Sequence, residues 1–480
     1  MKETEKIITS LKAKILNVEI KITAWLCNVG SQQSSKERRS NTCVLNFTDV
    51  QLPKEVESIL NLEPGFGIPL TPRQVPVGVL IKDLENGLRF VDIAGSDLKT
   101  VKEEQNNIRS KAVYLISNYY RRNRRKQSTR ITTDFKTTKY FLKEHSDLII
   151  TRSDKDGNTV IMYEEEYLKE MYKLLEDKDT YLHLNKDPTS KYEKMANDLV
   201  AKLKRNLIIS EGLEKEFKSY NSVSPKLYGL RKTHKPGCVM RPVVSSIKSP
   251  CYKIARFLHQ ILSTSLASKF VFSIKNSFEF VKFIKEVKLP KDYVLVSLDV
   301  VALFTNISKQ LVKDIINEDW HELAGLIKIP KDMLLEVIQF CFDSSYLQFN
   351  GTCYQQLDGS SMGNPASPIL ANIVMDHILK RIMKLLPFPV PFLKVYVDDT
   401  ILSIPEDKVD SILDIFNSVN KKIQFTMEIE KENRLPFLDV VVIRKDDGSL
   451  LTDWYIKPTS SVADEVQIKD ETFNKDQIMV

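Results

Sequence analysis

The sequence predicts an α+β fold in which an antiparallel sheet is backed by helices and preceded by a mixed, largely helical N-terminal region. Two patterns lead to this prediction. Short runs of β-branched and aromatic residues alternate with amphipathic helical segments, and a strand, a long helix and a hairpin follow one another between residues 293 and 404. The chain of 480 residues is long enough for two or three domains.

Composition excludes several classes of protein. The chain contains no run of about eighteen apolar residues, so no transmembrane helix is predicted. Met1–Lys6 mixes acids with bases and lacks the apolar core of a secretory signal. The six cysteines are scattered, which argues against a disulfide framework and a zinc module. We therefore expect a nuclear or cytoplasmic protein that is neither secreted nor bound to a membrane.

The N-terminal segment predicts one helix and a loop. Apolar residues at steps of three and four predict a helix over residues 5–25, with a short heptad seam that would allow oligomerisation. Packing of this helix within its own domain is the alternative. Residues 30–41 contain no apolar side chain and predict a loop.

A basic segment follows at residues 119–130. Two tyrosines precede five cations, and such a run could neutralise phosphates and stack on bases, or act as an import signal. The alternative is an ordinary solvated helix face or loop. The candidate nucleic-acid-binding residues are Arg121, Arg122, Arg124, Arg125 and Lys126.

The middle of the chain mixes strands with a helix. Residues 148–162 predict a strand, a polar turn and a second strand. Residues 164–175 place Tyr167, Met171 and Leu175 on one face and predict an amphipathic helix.

The second half contains acidic residues at strand ends. Residues 293–298 form an apolar run that predicts a buried strand ending at Asp299. Ser367 is a predicted N-cap, followed by Pro368 in a helix that stops at Pro387. Residues 393–404 predict a hairpin with Asp398 and Asp399 at its turn.

The positions of the Asp299, Asp398 and Asp399 carboxylates need a physical explanation. Adjacent like charges repel each other, and a carboxylate that follows a buried strand needs compensation. Two divalent cations about 4 Å apart would provide it, since such pairs clamp the attacking and leaving oxygens of a phosphoryl transfer. The alternative is an ordinary turn, because Asp tolerates turn geometry and exposure.

Three blocks, in order, resemble the conserved segments of reverse transcriptases: Ser297–Phe304, Gly359–Ser367 with Pro368, and Tyr396–Asp399. Further blocks are similar to those of Penelope-like retroelement reverse transcriptases, which are relatives of telomerase. They are Ser153–Val160, Asp179–Tyr181, Leu227–Pro236, Arg241–Ser245, Leu435–Asp439 and Tyr455–Thr459. The resemblance covers roughly residues 43–459.

The resemblance implies a right-hand polymerase fold. An N-terminal region over residues 1–145 would precede fingers over 146–290 and a palm over 291–445. A truncated thumb start and polar tail would occupy residues 446–480. The implied activity is RNA-directed DNA polymerisation with two Mg²⁺ ions, for which Mn²⁺ could substitute. The implied partners are an RNA template, a DNA primer and deoxynucleoside triphosphates.

The resemblance also implies roles for residues of the palm. Asp299 and Asp398 would each ligate magnesium, with Asp399 as a supporting ligand or electrostatic partner. The backbone carbonyl of Val300 would join them. Phe304 would be the steric gate that presses on the 2′ position of the sugar and favours deoxynucleotides.

Further residues are implied to contact the nucleotide and template. Lys232, Lys235 and Arg241 would meet the triphosphate, whose transition state spreads negative charge over phosphoryl oxygens. Gly363 would allow a close approach to the templating base pair. Gln356 would contact the template or the nucleotide.

The sequence departs from the family at its C-terminal end. No GIY-YIG endonuclease follows, and residues 460–480 form a polar, acid-rich segment too short for a helical thumb. One alternative is therefore a truncated or domesticated remnant that binds nucleic acid without catalysis. Another is a metal-dependent nuclease, which would leave the fingers cations unexplained.

Overall fold

The structure is a computed structural model that describes residues 44–62, 77–89, 98–122, 130–155, 157–233 and 237–455. The chain divides into two compact units. The first comprises residues 1–150 and 158–164, and the second comprises residues 151–157 and 165–480. The predicted N-terminal helix, the loop at residues 30–41 and the polar tail lie outside the described residues.

The first unit combines a small sheet with helices. Its three-stranded sheet has the order β1-β3-β2, with β1 parallel to β3. Helix α1 packs against α4. The strands are β1 (Val44–Asn46), β2 (Leu148–Arg152) and β3 (Thr159–Tyr163), and the helices are α1 (Lys54–Leu60), α2 (Val77–Arg89), α3 (Leu98–Arg122) and α4 (Arg130–Glu144).

The second unit contains three sheets and most of the helices described. Its strands are β4 (Tyr181–Leu184), β5 (Lys226–Arg231), β6 (Met240–Ser245), β7 (Tyr293–Val300), β8 (Tyr346–Phe349), β9 (Thr352–Gln356), β10 (Leu393–Tyr396), β11 (Asp399–Pro405), β12 (Phe425–Ile429), β13 (Arg434–Phe437), β14 (Val440–Arg444) and β15 (Leu450–Trp454). The sheet orders are β4-β9-β8-β5-β6, β10-β11-β7-β12 and β13-β14-β15.

Helices cover these sheets. They are α5 (Glu164–Leu175), α6 (Thr189–Arg205), α7 (Glu211–Phe217), α8 (Tyr252–Leu266), α9 (Ser277–Ile284), α10 (Leu303–Asn306), α11 (Lys309–Glu318), α12 (Trp320–Leu323), α13 (Lys331–Asp343), α14 (Ser367–Leu385) and α15 (Val409–Ser418). The predicted α+β class with antiparallel sheets is confirmed. None of the described helices is long and apolar enough to cross a membrane.

The four-stranded sheet separates two cores. Val294, Val296 and Leu298 of β7 pack into the larger core, which includes α14. The alternate residues Tyr293 and Leu295 pack into a smaller core with β13, β14 and β15. Because side chains alternate along a strand, Asp299 lies on the same face as Tyr293 and Leu295.

Two local predictions differ from the structure. Ser367 is the first residue of α14, and Ala366 occupies the N-cap position. The Ser367 hydroxyl is buried and donates to the Ser361 carbonyl at 2.8 Å, so it holds the preceding loop and does not cap the helix. The predicted fingers and palm ranges are contiguous, but β8 and β9 from the palm range join β4, β5 and β6 in one sheet.

Candidate active site

The hairpin that carries the paired aspartates has a two-residue turn. Tyr396 pairs with Asp399, so the turn consists of Val397 and Asp398. Val397 has a φ of 59°, which is unusual for a β-branched residue and is a source of backbone strain. The prediction that both carboxylates lie at the turn is therefore wrong for Asp399, which is the first residue of β11. This short turn requires positive φ, and Val397 adopts it.

Asp399 lies directly opposite Asp299. The antiparallel pairing of β11 with β7 joins these two residues in register. Opposed residues project from the same face of a sheet, with Cβ atoms about 4.5–5.5 Å apart. Asp299 is exposed and Asp399 is half-buried. Like charges placed directly opposite each other are destabilising, so the pair favours a bound cation.

The two carboxylates line a cleft of about 360 Å³. Thr426 pairs with Asp299 from the other side, and its hydroxyl donates to the Asp299 carbonyl at 3.3 Å. Further lining residues are Ser297, Glu428, Pro436, Phe437, Leu438 and Tyr455. The cleft therefore lies on the face of the four-stranded sheet that carries the smaller core.

The donor chemistry of this cleft fits magnesium. Carboxylate oxygens are hard ligands, and Mg²⁺ in phosphoryl-transfer sites is commonly held by one or two carboxylates together with substrate phosphates and water. No group of three His, Cys, Asp or Glu side chains among the described residues is arranged to hold a metal ion. The opposed pair would supply two carboxylate ligands, and Asp398 lies one residue away in the turn.

Phe304 lies close to the loop that precedes α14. It belongs to α10, which begins after Ala302 at a φ of 50°, and its side chain packs against the larger core. The Ser360 N–H donates to the Phe304 carbonyl at 2.7 Å. A Cβ atom on Gly359 would lie 2.5 Å from the Thr305 carbonyl oxygen. The loop and α10 are therefore in close backbone contact.

Gly363 joins the same loop to β6. The Val244 N–H donates to the Met362 carbonyl at 2.9 Å, and the Ser246 hydroxyl donates to the Gly363 carbonyl at 2.7 Å. Gly363 has a φ of 110°, and a Cβ atom there would lie 2.0 Å from the Val244 carbonyl oxygen. The close contact with β6 is by itself enough to require glycine at position 363. A contact between Gly363 and the templating base pair stays a prediction.

Two of the predicted triphosphate ligands, Lys232 and Arg241, lie on the ribbon of β5 and β6. The Lys232 N–H donates to the Val239 carbonyl at 2.9 Å. Arg241 is opposite Leu230, and its Nη1 lies 3.0 Å from Oδ1 of Asp154. Lys235 lies outside the described residues. Asp154 belongs to the block Ser153–Val160, and its carboxylate had no predicted role.

The thiol of Cys238 adjoins these cations. Burial and a hydrogen bond to Glu166 raise the pKa of Cys238 to about 11. The thiol is therefore protonated near neutral pH and adds no anion to the ribbon.

Other candidate residues are placed less fully. Gln356 is buried, and its Nε2 donates to the Asp358 carbonyl at 3.0 Å, so the amide is engaged within its own loop. Arg121 is exposed and hydrogen-bonded to Asn118. Arg122 is the last residue of α3, and Arg124, Arg125 and Lys126 lie outside the described residues.

Solved structures similar to this chain include telomerases and a viral polymerase. Apo telomerase from Candida tropicalis, truncated from the C-terminal domain, is 12% identical with a TM-score of 0.48, covering 95% of this chain and 91% of that one. Telomerase from Candida albicans, in complex with a TWJ fragment of telomeric RNA, is 10% identical with a TM-score of 0.46, covering 83% and 64%. The Sicinivirus 3Dpol RNA-dependent RNA polymerase is 15% identical with a TM-score of 0.37, covering 51% and 56%. No curated protein matches the sequence.

A family model matches the part of the chain that holds the site. The model is that of reverse transcriptase (RNA-dependent DNA polymerase), and it matches residues 233–436. This interval includes Arg241, Asp299, Phe304, Gly363 and the hairpin aspartates. Residues 233–436 are therefore similar to the reverse transcriptase family.

Proposed function

We propose that this chain is an RNA-directed DNA polymerase of the Penelope-like kind, which adds deoxynucleotides to the 3′-hydroxyl of a primer with the help of two Mg²⁺ ions. The observation that carries the proposal is the opposition of Asp299 and Asp399 on one face of the four-stranded sheet. A pair of this kind is unfavourable without a cation, and it lies within the matched reverse transcriptase segment.

In the proposed mechanism, the chain contributes carboxylates and positioning. Asp299 and the hairpin aspartates would hold the metal ions, together with the carbonyl of Val300. The ions would supply charge stabilisation for the attacking and leaving oxygens. Arg241 and Lys232 of the β5–β6 ribbon, together with Lys235, would orient the triphosphate, which would bring the reacting phosphorus into line with the primer hydroxyl.

Primer extension tests this proposal. The protein would be given an RNA template annealed to a DNA primer, with Mg²⁺ and the deoxynucleoside triphosphates. We expect extension that stops on chelation of the metal, and that also proceeds with Mn²⁺. Extension with ribonucleotides alone would identify a different polymerase. Retained RNA binding without extension would favour the nucleic-acid-binding remnant.

Phe304 allows a test of sugar selection. The Ser360 N–H donates to its carbonyl, and its half-buried ring packs against the larger core. We expect Phe304→Val to lower the preference for deoxynucleotides over ribonucleotides by about tenfold or more, because the smaller side chain leaves room for a 2′-hydroxyl. The measurement is kcat/KM for a deoxynucleotide and for its ribonucleotide counterpart.

Leu303→Val provides the matched control. Leu303 is buried in the larger core beside Phe304, so its substitution removes similar contacts without altering the proposed gate. We expect this control to leave the preference unchanged. Equal losses of kcat/KM for both sugars in Phe304→Val would contradict the gate assignment.

A further inference from the structure

Asp154 lies in a loop that is fixed to strand β5. Thr151, at the end of β2, and Asp154, just after it, both belong to the second unit. The Asp154 N–H donates to the Arg231 carbonyl at 2.9 Å, and the Thr151 hydroxyl donates to the Gly229 carbonyl at 2.8 Å. Two backbone carbonyls of β5 therefore fix the position of Asp154.

The carboxylate of Asp154 is buried beside the guanidinium of Arg241. Its side chain is 1% exposed, and Oδ1 lies 3.0 Å from Nη1 of Arg241. Among the described residues, neither carboxylate oxygen accepts a hydrogen bond of good geometry. A buried carboxylate is unfavourable unless a cation lies beside it. The contact with Arg241 is therefore what makes this burial tolerable.

Arg241 keeps a second, accessible side. Its side chain is 41% exposed, although its Nη1 lies 3.0 Å from the buried Asp154 carboxylate. A guanidinium has several N–H donors in a rigid planar fork, so one contact with a carboxylate leaves others for a phosphate. A long side chain that is already restrained loses less conformational entropy when it binds a ligand.

We propose that Asp154 is a positioning residue for the incoming nucleotide. It holds the Arg241 guanidinium in the orientation in which the remaining N–H donors meet the triphosphate, and it does not touch the nucleotide itself. This inference rests on the proposed function, since the triphosphate is the substrate of the polymerase. It assigns a role to the segment of residues 153–155, which would connect nucleotide affinity to the packing of that segment on β5.

The substitution Asp154→Asn tests the inference. Asparagine has nearly the same shape but no charge, so the loop can keep its place while the ion pair is lost. We expect the KM for deoxynucleotide to rise about five- to tenfold with little change in kcat, since charge-assisted contacts are roughly twice as strong as neutral ones. Binding of a fluorescent mant-deoxynucleoside triphosphate, measured without turnover in Ca²⁺, should weaken by the same factor.

A double-variant comparison separates positioning from a structural role. Arg241→Ala should raise KM further than Asp154→Asn, and adding Asp154→Asn to Arg241→Ala should raise it no more. Glu166→Gln is the matched control, because Glu166 of α5 lies 3.4 Å from Arg231, a different arginine of the β5–β6 ribbon. This control should leave KM and mant-nucleotide binding unchanged.

Several outcomes would overturn the inference. They are an unchanged KM in Asp154→Asn, additive effects in the double variant, or equal effects from Glu166→Gln. If the wild-type protein extends primers and Asp154→Asn has the same KM and the same mant-nucleotide affinity, the role of Asp154 is wrong and the polymerase proposal stands. If the wild-type protein binds the mant-nucleotide but extends no primer, the polymerase proposal is wrong. The comparison of mant-nucleotide binding by wild type and Asp154→Asn would still decide the role of Asp154.

Discussion

The substitution Asp299→Asn is expected to lower the rate of RNA-templated primer extension by about 10³-fold, which is the scale of losing one preorganised electrostatic contact in a phosphoryl-transfer site. Asp299 is exposed at the end of β7, so its carboxylate adds little to the packed cores. We therefore expect the midpoint of thermal unfolding to be nearly unchanged. The measurement is kcat under saturating substrate, together with the Mg²⁺ concentration that gives half-maximal rate.

The hairpin aspartates allow a sharper comparison. The resemblance gives the main ligand role to Asp398, whereas the strand register places Asp399 opposite Asp299. We expect Asp398→Asn and Asp399→Asn each to lose activity on a similar scale. If Asp399 is a ligand equal to Asp299, Asp399→Asn should also raise the Mg²⁺ requirement. An unchanged requirement in that variant would leave Asp399 as an electrostatic partner.

A control carboxylate is available just beyond the other end of β11. Asp407 is exposed and forms an ion pair with Lys408 at 2.9 Å. Asp407→Asn removes the same charge from the chain without altering the cleft, so its activity should stay within about twofold of wild type. Synthesis that survived Asp299→Asn, or equal losses in Asp407→Asn, would contradict the metal-site assignment.

The sequence predicted the elements whose burial leaves a local pattern of apolar residues, on one face of a helix or along a whole strand. Helix α5 was predicted from its periodicity, and its residues Tyr167, Met171 and Leu175 are indeed buried. Strand β7 was predicted from its apolar run, because both faces of that strand pack against a core over most of its length. Patterns of this kind are visible locally, since burial repeats with the period of the element.

The strand register and the loop contacts could not be predicted in the same way. The pairing of Asp299 with Asp399 depends on Val397 adopting positive φ, which β-branched residues rarely do, so a turn made of the two aspartates was the natural expectation. The pairing of Asp154 with Arg241 joins segments that are distant in the sequence. Neither contact leaves a periodic signal.

Gly363→Ala is expected to destabilise the protein by about 3 kcal/mol or more, because two penalties combine at this position. The first is conformational, since a φ of 110° lies in a region that residues with a Cβ atom rarely adopt. The second is steric, since the added Cβ atom would lie 2.0 Å from the Val244 carbonyl oxygen. The measurement is the free energy of unfolding by urea.

Gly351→Ala separates the two penalties. Gly351 has a φ of 82° in the turn between β8 and β9, and a Cβ atom there would meet nothing within 4 Å. It should therefore show only the conformational penalty, about 1 kcal/mol. The difference between the two variants measures the close approach of the loop to β6. Equal losses of unfolding free energy in the two variants would contradict that contact. A larger loss in Gly363→Ala, together with a raised KM for nucleotide, would indicate that β6 and the loop before α14 jointly support Arg241 and Phe304.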